Sequence, residues 1–182
     1  MTESQPHMTT QPSRRPIRRL FVLLAAVVVA LDQLTKYLIV RDMALGQSTP
    51  ALGKALSFTY THNTGSAMGL LPAGGSVLAL IAGVFVVAIL VWGHRWVGRN
   101  PWLIWGLGGL LGGAIGNLLD RARLGYVVDF IDVHFWPVFN VADIAVCCGA
   151  GAILIGTLLY NEQRDACDCA PATDCSLPPR EE

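Results

Sequence analysis

The chain has 182 residues, of which 53% are hydrophobic and 14% are charged, and its mean hydropathy is +0.48. Soluble domains carry about a quarter charged residues, so this composition favours a membrane protein over a soluble fold. The formal net charge is zero, which gives no support for nucleic acid as a partner.

The first apolar stretch follows a polar N-terminal segment. Residues 1–16 are rich in Pro, Ser, Thr and Gln, a composition that predicts a disordered tail. Ile17–Val40 is then long enough to cross ~30 Å of hydrocarbon as a helix. A cleaved signal peptide is the alternative, with RRPIRR as its basic region and VVVA before Leu31 as its cleavage site. Because the apolar run continues to Val40, we expect a membrane helix.

Three further stretches have the length and apolarity of membrane helices, at Gly75–Trp92, Pro101–Leu119 and Val141–Tyr160. Together with the first they predict a four-helix membrane domain over residues 17–160. Residues 161–182 hold three cysteines whose spacing matches no standard zinc pattern, and they predict a second disordered tail.

The basic residues predict the orientation of the four helices. They cluster before the first span and between the second and third spans, at Arg14, Arg15, Arg18, Arg19, Arg95 and Arg99. Since cytoplasmic loops carry the excess of Lys and Arg, both termini are expected in the cytoplasm. Residues 41–73 and 121–139 then face the outside of the cell.

Polar side chains from separate spans are predicted to meet at the outer end of the bundle. Asn117 and Asp120 lie ~24–29 Å along the third span, counted from its cytoplasmic start. Asp143 lies in the first turn of the fourth span, and the short loop before it adds Asp129 and Asp132. Charged groups in a membrane are costly and usually functional, so this convergence indicates a site.

The first and third spans contribute to the same level. Asp32 and Lys36 come ~20–27 Å after Arg18 and are spaced to pair on one helix face. The third span has small-xxx-small glycine pairs, which let a neighbouring helix approach closely. These pairs are Gly108/Gly112, Gly109/Gly113 and Gly112/Gly116.

The sequence gives little support for a metal site or a serine hydrolase, which leaves carboxyl groups as the candidate catalytic groups. The four histidines form no H-x-x-x-H or E-x-x-H pair, so no metal or other cofactor is predicted. The segment THNTGSAMG around Ser66 lacks the G-x-S-x-G turn of a serine hydrolase. Two close carboxyl groups, by contrast, share one proton, so the ionised one activates water while the other protonates a scissile carbonyl. Spacing alone leaves four candidates for that pair: Asp120, Asp129, Asp132 and Asp143.

Five short motifs in order resemble those of the lipoprotein signal peptidase (signal peptidase II) family of bacterial membrane aspartic peptidases. They cover residues ~17–160, and no single one of them is specific alone. They are DQLTK at Asp32–Lys36, NTGSAMG at Asn63–Gly69, GNLLDR at Gly116–Arg121, VVDF at Val127–Phe130 and FNVAD at Phe139–Asp143.

The resemblance implies roles for individual residues. The catalytic pair is Asp129 and Asp143, whereas Asp132 has no catalytic counterpart. The substrate-binding residues are Asn63, Asn117, Asp120, Arg121 and Asn140, and the supporting residues are Asp32 and Lys36. One departure is Met68, which stands where the family usually has an aromatic residue.

The resemblance also implies a fold and a substrate. The fold is an all-α membrane protein of four transmembrane helices with a small extracytoplasmic β-cradle in residues 41–73, where LSFTYTHNTG predicts a strand and turn. The substrate is a diacylglyceryl-modified prolipoprotein, cut just before the lipid-modified cysteine. Its lipid stays in the membrane, and we expect the enzyme to act as a monomer. Gly125–Trp136 is expected to lie along the membrane interface, with Trp136 as an anchor.

Two other classes fit the sequence less well. A proton-coupled transporter should place ionisable groups through the whole bilayer, whereas the inner halves of the last three spans carry no charged residue. A non-catalytic scaffold does not need two carboxyl groups facing one another. The sequence therefore favours a peptidase of the bacterial inner membrane, with its active site at the outer face.

Overall fold

The structure is a computed structural model that describes residues 14–53, 55–65, 74–93 and 101–168. Four helices in these ranges are long and apolar enough to cross a membrane. They are α1 (Arg14–Asp42), α2 (Gly74–Ala88, continued by a π-helical turn at Ile89–Gly93), α3 (Pro101–Leu124) and α4 (Val141–Asp168). The strands are β1 (Ser48–Leu52), β2 (Leu56–Asn63) and β3 (Val127–Asp132). The predicted four-helix membrane fold with a small sheet is confirmed.

The helices are longer than the spans predicted from apolarity. Residues 14–16 and 161–168, predicted as parts of the tails, are helical. The prediction that the loop after the third span begins at Arg121 is wrong, because α3 continues to Leu124. Arg121 and Arg123 in its last turn complement the negative end of the helix dipole. Gly125 then ends the helix at φ 80° and donates its N–H to the Arg121 carbonyl.

Helix α3 lies at the centre of the bundle and packs against the other three helices. Half of the residues in the most apolar part of α3 are buried inside the protein, against 17% or less in the other three helices. Its glycines form two contact faces: Gly108, Gly112 and Gly116 face α1, whereas Gly106, Gly109 and Gly113 face α4. Because these positions lack a Cβ, the backbones of the neighbouring helices come into direct contact with α3.

One face of α1 carries both apolar and charged residues toward α3. Phe21, Ala25, Asp32 and Lys36 are all buried, and their spacing of four, seven and four residues places them on one helix face. Phe21 and Ala25 join the apolar core with residues of α2 and α3. Asp32 and Lys36 continue the same face to the end where the sheet lies.

The sheet is antiparallel throughout, in the order β1-β2-β3. The predicted strand and turn at LSFTYTHNTG is confirmed by β2, which ends at Asn63 before Gly65 at φ 69°. The third strand comes from the loop between α3 and α4, so the prediction that residues 121–139 form only a loop is wrong. The run from Val127 to Phe130 is buried throughout, which favours a strand paired with β2 over an exposed loop.

Candidate active site

Asp129 and Asp143 are brought together by one asparagine, Asn140. The Asn140 Nδ2 donates to Asp129 Oδ1 at 2.7 Å, and the Asn140 backbone N–H donates to Asp143 Oδ2 at 3.1 Å. Asn140 is completely buried and Asp129 is 2% exposed. One residue thus fixes a carboxyl group on β3 beside a carboxyl group on α4.

The start of α4 explains how Asp143 is held. Asn140 precedes the first helical residue, and its Oδ1 accepts the Asp143 N–H at 3.0 Å while the Asp143 carboxylate accepts the Asn140 N–H. This reciprocal pair is a capping box built from Asn and Asp. The next free N–H, that of Ala142, donates to Asp32 Oδ1 of α1 at 3.0 Å. The carboxyl group of Asp143 is therefore part of the helix terminus itself.

Asn117 of α3 holds the second oxygen of Asp143. Its Nδ2 donates to Asp143 Oδ1 at 2.8 Å, and its Oδ1 accepts Lys36 Nζ at 2.9 Å and Asn140 Nδ2 at 3.1 Å. An ammonium group has only donors, so Lys36 fixes which end of the Asn117 amide faces Asp143. The supporting role predicted for Lys36 thus has a physical basis in this contact.

Lys36 is itself held by two carboxylates. Its Nζ lies 2.9 Å from Asp32 Oδ2 and 2.8 Å from Asp120 Oδ2, and all three side chains are at most 5% exposed. Asp32 and Lys36 are therefore paired, as their spacing on one helix face predicts. Lys36 of α1 thus reaches Asp120 across the interface with α3.

Asp120 also ties the helix bundle to the sheet. Its Oδ2 accepts the backbone N–H of Val128 at 3.2 Å, and its Oδ1 accepts Gln33 Nε2 at 2.9 Å. Gln33 was not singled out from the sequence, because its role depends on a contact with α3 that local sequence does not encode. Asp120 therefore holds β3 against α1 and α3 at Val128, the residue before Asp129.

Asp129 lies in an apolar strand, and this sets its acidity. Burial raises its pKa, and the nearby negative charge of Asp143 raises it further. Hydrogen bonds from Asn63 and Asn140 and the positive charge of Lys36 act in the opposite direction. The net effect raises the pKa of Asp129 from 3.8 to about 6. A carboxyl group with this pKa can carry a proton near neutral pH.

Asn63 completes the support of Asp129 from the sheet. Its Nδ2 donates to Asp129 Oδ2 at 2.8 Å, and its Oδ1 accepts the N–H of Gly65 at 2.9 Å. Next to it, the ring of His62 stacks on Tyr126 with centroids 3.7 Å apart and accepts or donates a hydrogen bond with Tyr60 at 2.9 Å. The sequence did not indicate the stack, because Tyr126 comes from the turn after α3.

The fourth carboxyl candidate, Asp132, lies apart from this network. Its carboxylate accepts the backbone N–H of His134 at 2.8 Å and the Thr59 hydroxyl at 2.9 Å. These two hydrogen bonds hold the pKa of Asp132 below its usual range. Asp132 is therefore ionised and bound elsewhere, which agrees with its lack of a catalytic counterpart in the resemblance.

Arg121 is the remaining site residue predicted from the sequence. It is half-buried, and its Nη1 donates to the Asn117 carbonyl at 3.4 Å. Its buried Nε has no hydrogen-bond partner among the residues that the structure describes. Met68, the departure from the family pattern, lies outside the described residues. Within the described part of the chain, no group of three or more His, Cys, Asp or Glu is arranged to hold a metal ion.

Comparison with known proteins gives a consistent result. A family model described as signal peptidase (SPase) II matches residues 24–159. The lipoprotein signal peptidase of Moorella thermoacetica is 45% identical over 130 residues, which cover 71% of this chain and 86% of the relative. That of Mycobacterium avium is 44% identical over 159 residues, covering 83% and 86%.

Two solved structures, each described as a bacterial membrane enzyme studied by the in meso method, share the fold. The first has a TM-score of 0.69 at 32% identity and covers 76% of this chain and 92% of its own. The second has a TM-score of 0.70 at 30% identity and covers 82% and 91%. The family model includes all five motifs and all four membrane spans except the first residues of α1. The chain therefore belongs to the signal peptidase II family and is a multi-pass membrane peptidase.

Proposed function

We propose that the chain removes signal peptides from diacylglyceryl-modified prolipoproteins, cutting just before the lipid-modified cysteine with Asp129 and Asp143 as the catalytic pair. The observation that carries the proposal is the shared support of the two carboxyl groups by Asn140. The names of the relatives support the substrate class.

In the proposed mechanism, Asp129 and Asp143 hold one proton between them. Asp129 carries it, since burial raises its pKa to about 6. Asp143 is then the carboxylate that takes a proton from water as the water attacks the scissile carbonyl carbon. Asp129 donates its proton to the carbonyl oxygen, which gives a tetrahedral intermediate with two hydroxyl groups. The intermediate collapses when the amine leaves with the proton that Asp143 took from water, and one hydroxyl group returns a proton to Asp129. No covalent enzyme intermediate is formed.

The asparagines act on the carboxyl groups more than on the substrate. Asn63, Asn117 and Asn140 each donate a side-chain N–H to one of the two aspartates. We therefore assign them to positioning, together with Asp120, whose two oxygens are engaged by α1 and β3. Arg121 is the group with a donor left for substrate, because its Nε is unpartnered among the described residues. This refines the substrate-binding roles implied by the resemblance.

The proposed orientation places the site at the outer face of the bacterial inner membrane. Arginines at the start of α1 and in the segment between α2 and α3 favour cytoplasmic termini by the positive-inside rule. The chain then leaves the outer ends of α1 and α3 to form the sheet. A scissile bond next to a lipid-modified cysteine lies at this depth, so its acyl chains stay in lipid while the peptide enters the site.

The proposal is tested by incubating the purified protein with a diacylglyceryl-modified precursor and with the same precursor lacking lipid. We expect cleavage of the lipidated form alone, with a new N-terminus at the modified cysteine, determined by mass spectrometry. A precursor with that cysteine replaced by serine serves as the control for the position of the cut. Equal cleavage of both precursors, or a cut at another bond, would contradict the proposal.

A further inference from the structure

The loop between β3 and α4 exposes two neighbouring aromatic rings. Phe135 is 85% exposed and Trp136 is 64% exposed. The membrane span of α4 begins only five residues later, at Val141, and that of α3 ends at Leu124. The loop is therefore tethered on both sides at the boundary of the bilayer, where lipid is the surface available to large apolar side chains.

The base of this loop is fixed to the sheet. Ile131 and Phe139 form a two-residue antiparallel bridge, with N–H to O distances of 2.8 and 3.1 Å in the two directions. The Phe139 carbonyl also accepts the N–H of Phe130 at 3.0 Å. Pro137 follows Trp136 directly and restricts its backbone to extended conformations. The rings are thus carried by a closed loop rather than a free one.

A cluster of three polar residues fixes the direction of the loop. His134 has φ 66°, a left-handed conformation that is uncommon for residues other than glycine. Asp132 Oδ1 accepts its backbone N–H at 2.8 Å and lies 3.4 Å from its Nδ1, and Ser57 Oγ lies 3.3 Å from its Nε2. These contacts stabilise the strained turn, as expected where a backbone conformation is functional. Ser57 is buried in the sheet, so its contact holds the turn at His134 against β2. We call Ser57, Asp132 and His134 together the clasp.

We propose that Phe135 and Trp136 insert into the lipid of the outer leaflet, and that the clasp formed by Ser57, Asp132 and His134 sets the direction of insertion. Both rings are attached to β3, which also carries Asp129. Insertion therefore fixes the sheet to the bilayer surface. Insertion also sets the depth at which the substrate is cleaved, and this last statement rests on the proposed function.

Depth-dependent quenching tests the insertion without reference to activity. The protein is reconstituted in phosphatidylcholine bilayers with bromine on the acyl chains near the glycerol or near the bilayer centre. The difference between wild type and Trp136→Phe isolates Trp136 from the other four tryptophans of the chain. We expect loss of Trp136 emission with bromine near the glycerol and little effect of aqueous iodide. Trp105→Phe, at an exposed ring of α3, is the positive control for lipid contact.

The clasp is tested with Ser57→Ala and Asp132→Asn, measured by the same Trp136 emission. We expect both variants to lose lipid quenching and to gain quenching by iodide, because the turn at His134 relaxes. Ser48→Ala is the matched control, since its hydroxyl bonds Thr59 of the same sheet at 2.8 Å and does not contact His134. Quenching of wild-type Trp136 by iodide alone would overturn the insertion. Protection from both quenchers would also overturn it, because the rings would then be covered by protein.

Discussion

At the scale of single residues, neutral amides and burial have opposite effects on the pKa of Asp129. Its two oxygens accept N–H bonds from Asn63 and Asn140, which favour the charged form. Burial in an apolar strand acts more strongly in the other direction and raises the pKa to about 6. The amides thus hold the carboxyl group in place while its pKa stays above the ordinary value.

The raised pKa of Asp129 predicts a specific dependence of stability on pH. The folded protein holds a proton up to about pH 6, whereas the unfolded chain releases it near 3.8. This contribution is fully present below the unfolded pKa and is lost as pH rises through the folded pKa. Relative to Asp129→Asn, the free energy of unfolding should fall by about 3 kcal/mol between roughly pH 3 and 7. Denaturation in mixed micelles measures it, and parallel curves for the two proteins would rule out the raised pKa.

His62 is predicted to position Asn63, and through it Asp129. His62→Ala removes both the stack on Tyr126 and the hydrogen bond to Tyr60, whereas His62→Phe keeps a ring for the stack. We expect kcat to fall about tenfold in the alanine variant with KM nearly unchanged, because a small displacement of Asp129 misaligns its proton. The phenylalanine variant should retain most of the activity. Equal kcat values for the two variants would show that the stack has no such role.

The sequence predicted most of these residues, and the exceptions have a common reason. Asp129 and Asp143 were chosen from four carboxyl candidates by the resemblance of their motifs to those of a known family, and the three asparagines lie in motifs of the same set. Gln33 contacts Asp120 of α3 and His62 stacks on Tyr126 in the turn after α3, and nothing in their own segments predicts these contacts. The same reason applies to the ion pair between Lys36 and Asp120, because it joins residues of two different helices.

At the scale of helices and strands, the glycines of α3 set how closely the bundle packs. A Cβ on Gly112 would lie 2.7 Å from both the Ala25 carbonyl oxygen and Val28 Cβ of α1. Helix α1 would then have to move away from α3. Gly112→Ala should lower the free energy of unfolding by about 1–3 kcal/mol. Gly83→Ala in α2, where nothing lies within 4 Å of the added Cβ, is the matched control and should be neutral or slightly stabilising. Equal stability of the two variants would mean that α1 and α3 are not in close contact.

The contact between α1 and α3 also depends on one buried cation. Lys36→Met leaves Asp32 and Asp120 buried without their shared partner, which should destabilise the fold by about 3–5 kcal/mol. Adding Asp120→Asn removes one of the two unpaired charges and should recover part of that loss. Arg41→Met, at an exposed pair with Asp42, is the control and should have little effect. A double variant no more stable than Lys36→Met would contradict this electrostatic account.

At the same scale, the sequence predicted helices better than strands. Apolar runs of membrane length identify α1 to α4 with little ambiguity, because a spanning segment must bury its backbone hydrogen bonds within itself. β3 is six residues long, and its pairing with β2 joins segments separated by the whole of α2 and α3. The number and position of the strands in the sheet therefore depend on tertiary contacts that periodicity does not show.

At the scale of the whole molecule, one polar network connects the four segments that meet beside the sheet. Lys36 of α1, Asn117 of α3, Asn140 before α4 and Asp129 of β3 are joined by consecutive hydrogen bonds. A network of this kind is stable in an apolar bundle only when its members are satisfied, and each carboxylate in it has at least two partners. The membrane domain therefore holds in place Asp129 and Asp143, the proposed catalytic pair.

The measurement that tests the account most directly is cleavage of a lipidated precursor by Asp129→Asn and Asp143→Asn, with substrate binding and thermal unfolding recorded for each. Asparagine keeps the size of the side chain and removes the exchangeable proton. Asp42→Asn, at an exposed carboxylate on α1, is the control. We predict that both site variants fold and bind the precursor but lose cleavage by a factor of at least about 10³, while the control is unchanged. A folded variant of either aspartate that cleaves near the wild-type rate would contradict the assignment of the catalytic pair.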